Sequence, residues 1–258
     1  MQYITKFFSG VALTGLLIFA SCHSSRQAVE ITQIKGTLIP VDSLLDARPD
    51  AQATALIAPY KAKIDSMMYA VVGESEITMP TGRPESLLSN LIADVLRESA
   101  VPVLGKPADM GLVNMGGLRS ILSKGPITCG TIYEILPFEN SLCVVSVKGT
   151  TLKELFTAIA AKKGEGVSGV KLTINQEGGL LNGTIGGKAV EDDKVYTVAT
   201  IDYLADGNDG MAPLAQAIKR ECPDKSILRD LFMDYVKQQT KAGKKITSGI
   251  EGRVVINN

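Results

Sequence analysis

Met110-Gly111-Leu112-Val113-Asn114-Met115-Gly116-Gly117-Leu118-Arg119 is an apolar run that ends in a polar residue, two glycines and an arginine. Met110 to Asn114 predicts a strand, and the glycine pair predicts the turn that ends it. Glycine has no Cβ and accepts positive φ, so a backbone built this way can come close to a ligand. Arg119 offers a planar fork of donors suited to a phosphate or carboxylate. Phe138, Glu139 and Asn140 follow downstream. An aromatic ring beside an amide can stack on a base and hydrogen-bond its edge. Together these residue types predict a nucleotide-recognition surface at the end of a strand.

On the N-terminal side, Ile57, Tyr60, Ile64, Met67, Met68 and Val71 fall at helical spacing between Ala51 and Val72, with Gly73 as the stop. A loop carrying Pro80, Gly82, Arg83 and Pro84 leads into a second helix from about Ser86 to Ser99, striped by Leu88, Leu91, Ile92, Val95 and Leu96. On the C-terminal side, Leu142 to Val147 reads as a strand, and Thr151-x-x-Glu154 reads as a capping box opening a helix that carries Leu152, Leu155, Phe156 and Ile159. Residues 169–198 read as strands and hairpins, with Gly178-Gly179, Asn182-Gly183 and Gly186-Gly187 at the turns. Val195 to Ile201 is a strand running into a glycine-bearing loop, Ile227 to Val236 a helix, and Arg253 to Ile256 a closing strand. Interleaved helices and strands of this kind predict an α/β (α+β) fold, a mixed β-sheet flanked by helices. With no internal repeat and no interior linker, residues 48–257 are expected to form one domain.

The chain has 258 residues, with 27 Lys plus Arg against 27 Asp plus Glu, so its formal net charge is zero. A general polyanion binder needs a basic excess, so no nucleic acid polymer is expected as a partner. A small anion held by two or three arginines is compatible with this balance. At the N-terminus, Lys6 precedes a short apolar stretch from Val11 to Ala20, and Ala20-Ser21-Cys22 are small residues leading into a cysteine. The stretch is short for a transmembrane helix and resembles a bacterial lipoprotein signal. Residues 1–22 are therefore read as a signal peptide ending at a lipobox with Cys22 as the lipidation site, the alternative being an ordinary secretory signal. Residues 23–47 are read as a tether with one strand around Ile34 to Pro40. The expected location is the bacterial cell envelope, held to the membrane through the lipid only and facing the periplasm or cell surface. Cys129, Cys143 and Cys222 have no metal-ligand spacing. They are read as buried free thiols, with one disulfide allowed in an oxidising compartment.

Four segments then resemble one family in its order. They are Glu85 to Asp94, Asn114 to Arg119, Leu136 to Asn140, and Tyr203 to Gly210. The chain resembles the C-terminal, substrate-recognising domain of the 5′-nucleotidases over roughly residues 48 to 254. The resemblance implies that Asn114, Gly116, Gly117 and Arg119 form a loop on the substrate, with Arg119 on its anionic or ribose-linked groups. It implies that Phe138 and Tyr203 stack on the base, that Asn140 reads the base edge, and that Asp209, in the loop with Gly207, accepts from ribose hydroxyls. Arg83 stands where the family places a further arginine. Each residue also has a plainer reading: Phe138 and Tyr203 as core, Asp209 as a turn residue bonding its own backbone, Arg83 and Arg119 as surface arginines. Asn208 replaces the second glycine of the family's usual GGDG loop, and asparagine tolerates left-handed backbone better than most residues.

A larger departure concerns chemistry. Full-length 5′-nucleotidases carry a metallophosphoesterase domain whose two-metal centre needs clustered Asp, His and Asn ligands. This sequence has one histidine, His23, and no D-x-H or G-N-H-[DE] motif. A Ser/His/Asp triad lacks its histidine, and no G-x-x-x-x-G-K-[ST] loop is present. The expectation is a stand-alone recognition half of a split nucleotidase, with no cofactor of its own. A separate metallophosphoesterase chain would bring the divalent metals. The alternative is a nucleoside- or nucleotide-binding lipoprotein without catalysis.

Overall fold

The computed structural model describes residues 31–257. The expected signal peptide, Cys22 and His23 lie outside the described residues. The chain divides into two units that part between Thr54 and Ala55. In the first, Asp42 caps a 3-10 turn over Ser43–Ala47, its carboxylate accepting from the Leu44 N–H at 2.9 Å. Residues 31–42 form no regular element, so the strand expected around Ile34 to Pro40 is absent. Its apolar residues are exposed, and among the described residues no neighbouring strand completes a ladder with it.

Helix α1, Ala51–Met68, starts where Asp50 Oδ1 accepts from the N–H groups of Gln52 and Ala53. It stops short of Val72, because Val71–Ser75 is strand β1. Gly73 lies inside that strand, where Val236 and Thr240 leave no room for a Cβ. It therefore serves close packing and does not end a helix. The apolar spacing marks a real helix but not a buried one: Ile57, Tyr60, Ile64 and Met67 are exposed.

The remaining strands, and the remaining helices of seven residues or more, are helix α2 (Leu87–Ser99), β2 (Met110–Val113), β3 (Gly125–Thr128), α3 (Cys129–Ile135), β4 (Leu142–Lys148), α4 (Gly149–Ala161), β5 (Gly166–Ser168), β6 (Val170–Ile174), β7 (Leu180–Ile185), β8 (Lys188–Ala189), β9 (Val195–Ile201), β10 (Lys219–Glu221), α5 (Leu228–Lys241) and β11 (Val254–Ile256). The five-stranded sheet has the order β10-β4-β9-β2-β5, and a four-stranded sheet has the order β11-β6-β7-β8. Each is mixed: β2 runs parallel to β9 and β11 parallel to β6, while the other neighbours are antiparallel. Strand β4 is buried at all but Ser146 and Lys148, which explains its near-continuous apolar sequence. Helix α2 packs on β2 and β5, α4 on β7, and α5 on β1 and α2. Leu88, Ile92 and Leu96 of α2, Phe156 of α4 and Phe232 of α5 are fully inside.

Two local expectations change. Helix α4 begins at Gly149, ahead of Thr151, so Thr151 and Glu154 form no capping box; its N-cap is Lys148 without a side-chain bond. The capping box falls at Thr128 and Thr131, at the start of α3. Asn182-Gly183 runs through the interior of β7, where the Phe156 ring occupies the space of a Cβ at Gly183. The hairpin between β7 and β8 turns at Gly186 and Gly187, both at positive φ as a two-residue hairpin loop requires.

The expectation of free thiols is corrected, because Cys143 and Cys222 form a disulfide. Strand β10 lies antiparallel beside β4 with Glu221 opposite Val144, so Cys222, just after Glu221, comes beside Cys143, just before Val144. A bond between residues 79 apart depends on that register, which cysteine spacing does not reveal. Cys129 is free and half-buried. No helix among the described residues is long and apolar enough to cross a membrane.

Candidate functional site

The strand directions bring the predicted residues to one end of the five-stranded sheet. Parallel β2 and β9 finish there, and antiparallel β4 and β5 begin there. Asn114 follows β2 and Tyr203 follows β9, while Phe138 and Asn140 precede β4. The Asp202 N–H donates to the Ser141 carbonyl at 2.8 Å, so the turn carrying Tyr203 starts against the residue after Asn140. The Leu228 N–H donates to the Asn140 carbonyl at 2.9 Å, and the Arg119 N–H donates to the Ile135 carbonyl at 2.9 Å. These backbone bonds fix the loops on either side of Phe138.

The rings stand out from the core. Phe138 is 48% exposed and Tyr203 44% exposed. Burying a ring of this size is favourable by about 1.5–3 kcal/mol, so an uncovered pair at one sheet end has contact area to offer a ligand. The Arg119 guanidinium lies 5.9 Å from the Phe138 ring centroid and donates weakly to the Gly116 carbonyl at 3.4 Å. Gly117, Phe138 and Asn140 line one small cavity together with Val113, Leu136, Ile201 and Leu228.

Neither Gly116 nor Gly117 takes a positive φ, so backbone freedom is not the reason for the pair. A Cβ at Gly117 would lie 2.9 Å from Asn114 Oδ1. The missing side chain makes room for the Asn114 amide, whose Nδ2 donates to Asp209 Oδ2 at 2.8 Å. Asn114 Oδ1 is buried and has no hydrogen-bond partner among the described residues. In the downstream loop the positive φ angles fall on Gly207, Asp209 and Gly210. Asn208 is not among them, so its replacement of a family glycine carries no backbone strain.

Two residues that the sequence reading missed complete the polar side. Lys162, at the end of α4, donates to Asp209 Oδ1 at 2.6 Å. Asp209 thus holds Asn114 on one oxygen and Lys162 on the other. Partial burial raises its pKa, but the Lys162 and Asn114 hydrogen bonds and the Lys162 and Arg83 charges outweigh that and hold it below the usual aspartate range. Glu165, just before β5, is buried and accepts from Arg83 Nη2 and from the Met115 N–H, each at 2.5 Å. Burial pushes its carboxyl above the ordinary glutamate value, opposed by those two donors and the Arg83 charge. Arg83 is therefore part of the same constellation, through Glu165. Lys162-Lys163-Gly164-Glu165 carries no motif, and only the β2–β5 pairing brings it beside Asn114.

The site's two carboxylates are each occupied by cationic or N–H donors. No group of three or more His, Cys, Asp or Glu side chains is placed to hold a metal among the described residues. These residues do not fit a two-metal hydrolytic centre, which needs several free oxygen and nitrogen ligands per ion. What they present is exposed ring surface on Phe138 and Tyr203 at the sheet end that also holds Asn114 and Asp209.

Comparison with known proteins agrees with this architecture. The sequence profile of the family described as 5′-nucleotidase, C-terminal domain, matches residues 70–216, a span that includes each predicted site residue from Arg83 to Asp209. The chain is 26% identical over 242 residues to the trifunctional nucleotide phosphoesterase protein YfkN of Bacillus subtilis, covering 84% of this chain and 16% of that protein. It is 33% identical over 169 residues to endonuclease YhcR of the same organism, covering 61% of this chain and 13% of that one. Among solved structures, the 5′-nucleotidase precursor from Thermus thermophilus matches with a TM-score of 0.68 at 26% identity, over 80% of this chain and 43% of that chain. The chain thus spans less than half the length of these relatives. With the profile match, the shared fold and the four segments in order, the chain belongs to the 5′-nucleotidase C-terminal domain family.

Proposed function

We propose that this chain is the recognition half of a split 5′-nucleotidase. It binds the nucleoside part of a nucleotide, and a separate metallophosphoesterase chain supplies the divalent metals that cleave the phosphomonoester. The observation that carries this reading is the pair of half-exposed rings, Phe138 and Tyr203, at the sheet end that also holds Asn114 and Asp209. Stacking on such rings tolerates several bases. A carboxylate held ionised by its neighbours accepts from sugar hydroxyls. Holding the substrate still beside another chain's metals accelerates reaction through positioning.

Calorimetry of the purified chain with adenosine, AMP and UMP tests the binding, and no heat at millimolar ligand would refute it. Phe138→Ala is expected to weaken nucleoside binding by about 1–3 kcal/mol through loss of one stack; unchanged affinity would remove that ring from the site. With divalent metal but no partner, AMP hydrolysis by the chain is expected to be negligible. Robust metal-dependent turnover by the chain alone would overturn the split arrangement. We also propose lipid attachment at Cys22 and a cell-envelope location, which the disulfide fits because such bonds persist in oxidising compartments. Palmitate labelling is expected in the native protein and not in Cys22→Ser; equal labelling of both would discard the anchor.

A further inference from the structure

Glu165 is a buried acid that stacking and sugar recognition leave without a purpose. Its side chain is 0% exposed, against 39% for its partner Arg83. Burying a carboxylate is costly unless its lone pairs are taken. Here they are taken by two different parts of the chain: Oε1 by Arg83 Nη2 and Oε2 by the Met115 N–H, each at 2.5 Å. The carbonyl of the preceding residue, Gly164, accepts from Arg83 Nε at 2.8 Å. Met115 opens the 3-10 turn Met115–Gly117, so its N–H has no partner within that turn. One carboxylate therefore joins the loop before α2, the glycine turn after β2 and the start of β5.

We propose that Glu165 is a positioning residue of the nucleotide site, holding the Arg83 guanidinium and the Asn114–Arg119 turn in one register and leaving the other guanidinium donors to the ligand. The inference rests on the recognition role proposed above. The charged groups around Glu165 are Arg83 and Asp209, with Lys162 on Asp209. Of the two carboxyls, Asp209 is held below its usual value. Glu165, pushed upward by burial, is then the carboxyl of this group that protonates first as pH falls.

The test titrates adenosine by calorimetry into the wild type, Glu165→Gln, Arg83→Ala and the double variant, between pH 5 and 8. Glu165→Gln keeps the shape and an acceptor for Met115 but loses the charge that holds Arg83. Wild-type affinity is expected to fall as pH drops. The Gln variant should be about tenfold weaker at pH 8 and independent of pH. The double variant should bind no worse than the weaker single, because the two residues act as one unit. A Gln variant with wild-type affinity and pH profile would overturn the inference. If the wild type takes up no adenosine, the recognition reading fails, and hydrogen exchange at the Met115 amide in the ligand-free proteins decides the positioning role separately. Exchange at least tenfold faster in Glu165→Ala, with protection kept in Glu165→Gln, is expected; equal rates in wild type and Glu165→Ala would overturn it.

Discussion

Gly164→Ala is expected to destabilise the protein by about 3 kcal/mol, the sum of a strained backbone and an overpacked contact. Gly164 has φ of +110°, a conformation that L side chains rarely adopt. A Cβ there would lie 2.2 Å from the Pro84 carbonyl oxygen, 2.8 Å from Pro84 Cα and 2.9 Å from its carbonyl carbon. All three are backbone atoms, so no rotamer change relieves the overlap. The Gly164 carbonyl also holds Arg83 Nε, so the damage should reach nucleotide binding. Urea unfolding checks the first effect, and a melting temperature lower by roughly 6–12 °C should accompany it in a domain of this size. A loss below about 1 kcal/mol would mean that the loop can shift away from Pro84, contrary to the close approach described above.

Arg253→Ala is expected to cost about 3 kcal/mol, the low end for breaking a buried ion pair. The Arg253 side chain is 8% exposed and holds Asp94 through both guanidinium ends, Nη1 to Oδ1 and Nη2 to Oδ2, each at 2.8 Å. Its Nη1 also donates to the carbonyls of Val167 at 2.9 Å and Asn90 at 3.2 Å. Burial acts to lower its pKa, but Asp94 and Glu251 more than compensate and keep it charged. One side chain therefore ties α2, β5 and the segment entering β11. The estimate stays at the low end because Asp94 is 42% exposed and can regain water when its partner is removed. Arg253→Lys should recover only part of the loss, since an ammonium cannot span both carboxylate oxygens and the two carbonyls together. Full recovery by lysine in chemical denaturation would show that charge alone, and not the fork, accounts for the stability.

Periodicity marked α2, α4, β4 and β9 well because each buries one face or both, and burial imposes a pattern on sequence. It also marked α1, although the apolar residues of that helix lie exposed. It also passed over α3, β5 and β10, which are only three to seven residues long and too short for a period to emerge. Gly73 and Asn182-Gly183 were mistaken for punctuation, because a glycine that admits a neighbouring side chain looks the same in sequence as one that turns the chain.

The candidate site divides in the same way. Asn114, Arg119, Phe138, Asn140, Tyr203 and Asp209 were legible because they sit in local motifs, where residue type and spacing carry the information. Lys162 and Glu165 were not, because their roles depend on partners 47 and 50 residues away along the chain, brought together by α4 and the β2–β5 pairing. By itself the sequence determined the longer helices and strands, the family and the residue types of its four motif segments, all properties of short segments. Only the tertiary structure decided the Cys143–Cys222 bond, the burial of Glu165 and the clamping of Asp209 between Asn114 and Lys162. These depend on strand register and on the low dielectric of a packed interior, and both exist only once distant segments have met.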